Sequence, residues 1–396
     1  MPALTDRPIW QDDSCQRHAQ LRGDVRADVV LVGGGLTALV AAWLLGRHGV
    51  RVAVVEAATV GSGASGSGLG ILSMLSAPKA DALQRKLGLE RAGALLRAHA
   101  RAVSLLAGIV AEEEIACELQ ARDVNLYGHA AQAETLLQEH RALERMGIAA
   151  QLVEGGLGLL RPARALRLSN QATLHPRQLL CALAAAVARQ GGRVYENSPV
   201  LQAQEGAVTT GHGAIRAHNI IVTALPLLRG ERVQVSPVRL AALRGPCTTD
   251  SVWLPAAGGP ALRARGELLL AALAVPREDG GASLQQWVAA NCADAAVVRQ
   301  WSSTQACGLD GLPLVGVATP AQPTDLLAVG CGRWGLSQQM VAAQLLCDVV
   351  LDRPNELTSV FAPTRRESKT ASLALARAGT AMEAAKAFAL RLFERE

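Results

Sequence analysis

The chain has 396 residues, half of them hydrophobic, and its 39 basic against 34 acidic residues leave a net charge of +5. That is enough apolar material for two domains with substantial cores, which excludes a disordered chain. The basic residues are scattered rather than clustered, so no nucleic-acid footprint is expected. No run of eighteen or more uncharged apolar residues marks a transmembrane segment, and the N-terminus lacks the basic-then-apolar order of a signal peptide, which makes the expected location cytoplasmic.

The first informative unit runs from Asp28 to Glu56. Asp28 to Val32 is a short β-branched strand, and Gly33, Gly34 and Gly35 supply a turn. Gly33-x-Gly35-x-x-Ala38 matches the G-x-G-x-x-G/A fingerprint of a dinucleotide cradle. Gly33 permits the tight turn, Gly35 lets backbone N–H groups approach a pyrophosphate, and Ala38 lets the helix close on the strand. Leu36 and Thr37 open that helix, whose N-terminus favours negative charge. Arg51 to Val55 returns as a buried strand. Glu56, followed by Ala57, stands at about the spacing where the fingerprint's acid meets a ribose hydroxyl, which disfavours the 2′-phosphate of NADP. At this point the choice between FAD and NAD is open.

Next comes Val60-Gly-Ser-Gly-Ala-Ser-Gly-Ser-Gly-Leu-Gly70, a second glycine-rich loop placed directly after the acid. With this loop the chain resembles the D-amino-acid oxidase-like (DAO) family of FAD-dependent oxidoreductases, whose members carry a G-x-G-A-S-G-type loop at this distance. The resemblance implies FAD as cofactor. It further implies that Ser62, Ala64, Ser65, Gly66 and Ser67 contact the pyrophosphate and approach the isoalloxazine.

Residues 79–151 read as mostly helical, with Leu83, Leu87, Leu95, Ala98, Leu106 and Val110 at helical spacing. Leu174-His175-Pro176 then opens a helix. His175 reads as a cap or packed residue rather than a base, because it stands before proline at a helix start. The strands that follow, up to Ala224, resemble the family's second nucleotide-binding segment, in which a backbone group near Val200 would receive the adenine. Residues 227–298 hold short apolar runs separated by Gly and Pro, as expected of antiparallel strands roofing a flavin.

Further on, Asp310-Gly-Leu-Pro-Leu-Val-Gly316 and Gly330-Cys-Gly-Arg-Trp-Gly-Leu-Ser337 resemble the family's D-G-L-P turn and G-x-x-x-W-G-x-S/T loop. In that family the helix after this loop points its positive end at the flavin pyrimidine, which implies cofactor contacts for Gly332, Arg333, Trp334, Gly335, Leu336 and Ser337. The Arg333-Trp334-Gly335 core and the closing Pro363-Thr-Arg365 are similar to a subgroup often fused to a Rieske iron–sulfur domain. No C-x-H and C-x-x-H pair follows, so an iron–sulfur partner is expected to be a separate protein, and no metal site is expected in this chain.

The architecture implied is α/β: a Rossmann-like FAD-binding domain with an inserted α+β substrate domain, as in glycine oxidase and D-amino-acid oxidase. Residues 1–78, 152–226 and 302–365 would form the FAD domain, 79–151 and 227–301 the cap, and 366–396 a C-terminal amphipathic helix. The eight cysteines show no C-x-x-C spacing and read as reduced, mostly buried thiols, with Cys331 packed in the flavin-facing loop.

The resemblance implies removal of a hydride from a carbon next to an amine, in a small amine or amino-acid substrate. An amino acid would need an arginine for its carboxylate. Arg239, Arg244 and Arg333 are the candidates by region, and Trp334 is a further catalytic candidate. The chain departs from the family in having only two tyrosines and three phenylalanines. A second reading therefore stands beside the first: a flavin-binding subunit without its own oxidase chemistry, serving as electron-transfer or scaffold partner in a complex.

Overall fold

In a computed structural model, residues 4–5, 7–10, 15–75, 79–154, 164–204, 206–224, 232–245, 249–275, 282–292, 294–332 and 335–365 are described. The expected C-terminal helix 366–396, together with Arg333, Trp334 and Cys247, lies outside them.

Val29–Val32 is the centre of a six-stranded sheet. It pairs in parallel with Asn219–Val222 on one side and Val52–Val55 on the other. Arg193–Tyr195 continues the sheet beyond Val52–Val55, and Gln322–Val329 beyond Asn219–Val222. Only the edge hairpin with Leu314–Thr319 is antiparallel. All four residues of Val29–Val32 and of Val52–Val55 are buried, as a parallel sheet covered on both faces requires. Helices Leu36–Arg47, Pro176–Arg189 and Leu336–Val350 supply the cover. The first of these is almost entirely buried, from Leu36 to Trp43.

A ten-stranded mixed sheet forms the second body. Its longest pairing, near one edge, is the antiparallel one of Val233–Arg244 with Ala296–Gly308, in register Val238↔Ser303 and Leu240↔Trp301. Residues 79–151, read as mostly helical, also contribute the nine-residue strand Gln120–Gly128 to this sheet. Strands Gln151–Glu154 and Arg164–Thr173 pair there too, although all but Gln151 fall in the segment 152–226 that the sequence places with the nucleotide domain. Their burial alternates only partly, so periodicity alone carries no sign of which sheet they join.

Helix Leu89–Glu112 is long and apolar enough to cross a membrane by length and composition. In the fold its Leu95, Leu96, Ala102, Leu106 and Ile109 are buried in the same apolar cluster as Leu345 and Leu346, the packing of an ordinary core helix.

The N-terminal segment bridges the two bodies. Leu4–Thr5 adds a parallel edge to Gln300–Trp301. The fully buried Trp10 donates from Nε1 to the Gly68 carbonyl at 2.6 Å and meets His175 edge-on, with Arg263 and Arg265 over its ring. Contrary to the reading of all cysteines as reduced, Cys15 and Cys181 form a disulfide that ties this segment to helix Pro176–Arg189. The two lie 166 residues apart, and spacing motifs do not report pairs made only by tertiary approach.

Candidate functional site

The glycine turn is built where the parallel strands end. Gly33 has φ +115°, and a Cβ there would lie 2.7 Å from Thr223 Oγ1, so glycine is required on both counts. Gly34 N–H donates to Glu56 Oε2 at 2.6 Å, and Ala58 N–H donates to Glu56 Oε1 at 2.9 Å. Burial pushes the Glu56 carboxyl up, against these backbone donors that favour its charge. Each oxygen keeps a lone pair for a ribose hydroxyl. Helix Leu36–Arg47 begins at Gly35 with no side-chain cap, as a pyrophosphate-binding N-terminus must.

The second loop is folded against this turn. Gly66 is pressed onto Gly61, so that a Cβ would fall 2.0 Å from the Gly61 carbonyl oxygen. Ser65 Oγ accepts from Leu36 N–H at 3.3 Å and donates to Gln339 Oε1 at 2.7 Å. Ser67 Oγ shares a 2.7 Å hydrogen bond with Ser303 Oγ of the large sheet, and Trp301 Nε1 donates to the Ser67 carbonyl at 2.8 Å. The buried Glu196 takes the Val60 and His18 N–H groups, anchoring the loop's first residue. Ser62 and Ala57 are exposed at the edge of this assembly. Val200 starts the strand Val200–Gln204 and packs against the apolar cluster that includes Val55.

The third wall is the start of helix Leu336–Val350. Gly335 precedes it without a side-chain cap, and its α-hydrogen faces the Cys331 carbonyl at a distance that leaves no room for a Cβ. Ser337 Oγ donates to the Ser73 carbonyl at 2.5 Å. Cys331 is a half-buried thiol pushed up to about 12 by desolvation, with a hydrogen bond from Thr37 opposing the shift.

The second loop, the helix start and the large sheet line a cavity beside the glycine turn. Ala64, Ser65, Leu69 and Ile71 line it from the second loop, Gly332, Gly335, Leu336 and Gln339 from the helix start, and Val238, Leu240, Ser303, Thr304 and Gln305 from the large sheet. Two helix N-termini without side-chain caps, a cradle of glycines that tolerate no Cβ, and an acid at the ribose position fit a dinucleotide lying across the cavity.

Arg239 and Arg244 fall elsewhere, and Arg333 lies outside the described residues. Arg239 pairs with Ser302 and donates to its hydroxyl, while its neighbours Val238 and Leu240 line the cavity, so strand alternation puts Arg239 on the other face. Arg244 is exposed at the end of its strand, opposite Leu268 and Ala296. His175 caps its helix by accepting the Gln178 N–H at its Nδ1, as the sequence indicates.

Sequence reasoning missed Arg263. Its side chain is buried, and Nη1 donates to the carbonyls of Leu69, Gly70 and Leu174 at 2.6, 2.9 and 2.8 Å, pinning the second loop to the roof. Burial lowers its pKa to about 10. It also missed Ser303, Gln305 and Gln339, which no local motif marks.

The sequence profile of FAD dependent oxidoreductases (DAO) matches residues 28–349. YhfW of Bacillus subtilis, a protein named for a Rieske 2Fe-2S iron–sulfur centre, is 27% identical over 369 residues, covering 87% of this chain and 72% of that protein. Gamma-glutamylputrescine oxidoreductase of Escherichia coli is 28% identical over 241 residues, 59% of this chain and 56% of that protein. Glycine oxidase from Geobacillus kaustophilus superposes with a TM-score of 0.76 at 21% identity, over 87% of this chain and 100% of that one.

Proposed function

Since the chain belongs to the DAO family of FAD dependent oxidoreductases, we propose that it oxidises a C–N bond of a small amine or amino acid, giving an imine that water hydrolyses. FAD, when bound, supplies the two-electron chemistry. Gly33, Gly35 and the first turn of helix Leu36–Arg47 would hold its pyrophosphate, Glu56 its ribose, and the start of helix Leu336–Val350 its pyrimidine edge. Ser65 fixes the two helix starts relative to each other. Val238, Leu240, Leu69 and Ile71 give the cavity apolar walls.

The observation that carries this reading is the cavity lined on one side by the second glycine loop and on the other by the sheet face at Val238, Leu240 and Gln305. A donor carbon held there would lie between cofactor and roof, the arrangement that positioning catalysis needs. The name of gamma-glutamylputrescine oxidoreductase supports oxidation of a nitrogen compound, and that of YhfW supports an association with a Rieske iron–sulfur centre. The test is product analysis with an artificial electron acceptor. The reading expects a carbonyl product together with ammonia or a shortened amine from at least one member of a panel of glycine, sarcosine, proline, putrescine and benzylamine.

A further inference from the structure

The polar groups lining the cavity can be accounted for one by one. Ser65 Oγ is taken by Leu36 N–H and Gln339 Oε1, and Ser303 Oγ by Ser67 Oγ. Thr304 is exposed. Gln305 differs: its Oε1 is buried without a hydrogen-bond partner, and it is the cavity-lining residue among the described ones with such an orphaned atom. A buried amide oxygen left unpaired is costly, and a donor on a ligand held in the cavity that Gln305 lines would relieve it. Gln305 stands two residues beyond Ser303 on the same face of the strand Ala296–Gly308, opposite Ser236, with Val238 across from Ser303. It sits on the large sheet that roofs the cavity.

The charge of the cavity narrows what Gln305 can meet. No Asp or Glu is among the residues lining it. An amine bound there has no counter-charge from the described residues to hold it as ammonium. A neutral acceptor orients the N–H while leaving the amine free to lose its proton, and only the neutral amine has the lone pair that C–N oxidation requires.

We propose that Gln305 is the substrate-orienting residue, its side-chain carbonyl accepting a hydrogen bond from the amine of a substrate bound in the neutral form. This rests on the C–N oxidation proposed above. A carboxylate at the same position would favour the ammonium form and so raise the amine's pKa, whereas an apolar side chain would remove the acceptor and leave the titration of the amine alone.

The experiment uses the FAD-loaded full chain, the panel amine that bleaches the wild type fastest, and stopped-flow flavin reduction without oxygen across pH. Wild type, Gln305→Leu and Gln305→Glu are compared, with bound FAD and thermal midpoint as folding controls. Gln305→Leu is expected to weaken the apparent substrate affinity roughly 10-fold, with the pH limb of the reduction rate unmoved. Gln305→Glu is expected to move that limb upward by about 1 pH unit or more. Wild-type affinity in Gln305→Leu, or an unmoved limb in a folded, FAD-loaded Gln305→Glu, overturns the role of Gln305 while C–N oxidation stands. A wild type that no panel amine reduces overturns both.

Discussion

The Ser65 hydroxyl donates to the side-chain carbonyl of Gln339 at 2.7 Å, although the two residues lie 274 positions apart. The same hydroxyl takes the Leu36 N–H, so one oxygen holds the second glycine loop against the starts of two helices. The relative placement of pyrophosphate and pyrimidine sites depends on this junction.

Ser65→Ala should therefore keep the fold and weaken FAD. Losing both bonds is expected to cost about 1–2 kcal/mol of binding, or roughly a 10-fold rise in Kd. Quenching of flavin fluorescence during titration of the apoprotein measures it, and an unchanged Kd would remove the junction from the account.

Gly35→Val should abolish the yellow colour of the purified protein. A Cβ at this position approaches Ser65 Oγ to 3.1 Å, and the branched side chain beyond it enters the space a pyrophosphate needs. An absorption spectrum of the variant checks this directly: a flavin-loaded Gly35→Val protein is the contrary result.

Asp310 and Arg365 give the prediction about pH. Burial alone would raise the Asp310 carboxyl, but hydrogen bonds from Arg365 and Lys86 outweigh it and hold the pKa at about 2. Arg365 reaches both carboxylate oxygens, at 2.7 and 2.9 Å, and also donates to the carbonyls of Leu312 and Pro313. Because the folded-state pKa is depressed, this contribution is fully present above the unfolded value near 3.9 and is lost as pH falls from there to about 2. It amounts to about 2 kcal/mol. Asp310→Asn should lower the urea midpoint at pH 7 and flatten the fall in stability with acid relative to wild type. Parallel acid curves for the two proteins would contradict it.

The Cys15–Cys181 bond should appear as a cross-linked peptide pair in a non-reducing digest. Cys181→Ser, or mild reduction, is expected to cost about 2–4 kcal/mol of stability by freeing a long loop of the unfolded chain. Digests that yield both cysteines as free thiols, with unchanged stability on reduction, would restore the reading of every cysteine as reduced.

The strand, turn, helix and acid from Asp28 to Glu56 were legible because every residue that shapes the cradle is local. Gly66 is legible for the same reason, since the carbonyl that excludes a Cβ there belongs to nearby Gly61; at Gly33 the positive φ is local, but the second demand comes from the distant Thr223. The roof was not. Whether Arg239 or Val238 faces the cavity is decided by the pairing of Val233–Arg244 with Ala296–Gly308, and a shift of one residue would exchange them. Arg263 and Gln305 gain their roles only when distant strands join one sheet. The same holds for Trp10, whose indole finds the Gly68 carbonyl across 58 residues.

The central claim is that the cavity beneath Val238, Leu240 and Gln305 presents an amine to FAD. The measurement that reaches it most directly is the visible absorption spectrum of the purified chain without oxygen, before and after addition of the amine panel. The account predicts an oxidised-flavin spectrum that bleaches with at least one amine. A flavin spectrum that stays oxidised with every amine would contradict it and favour the flavin-binding subunit without oxidase chemistry of its own.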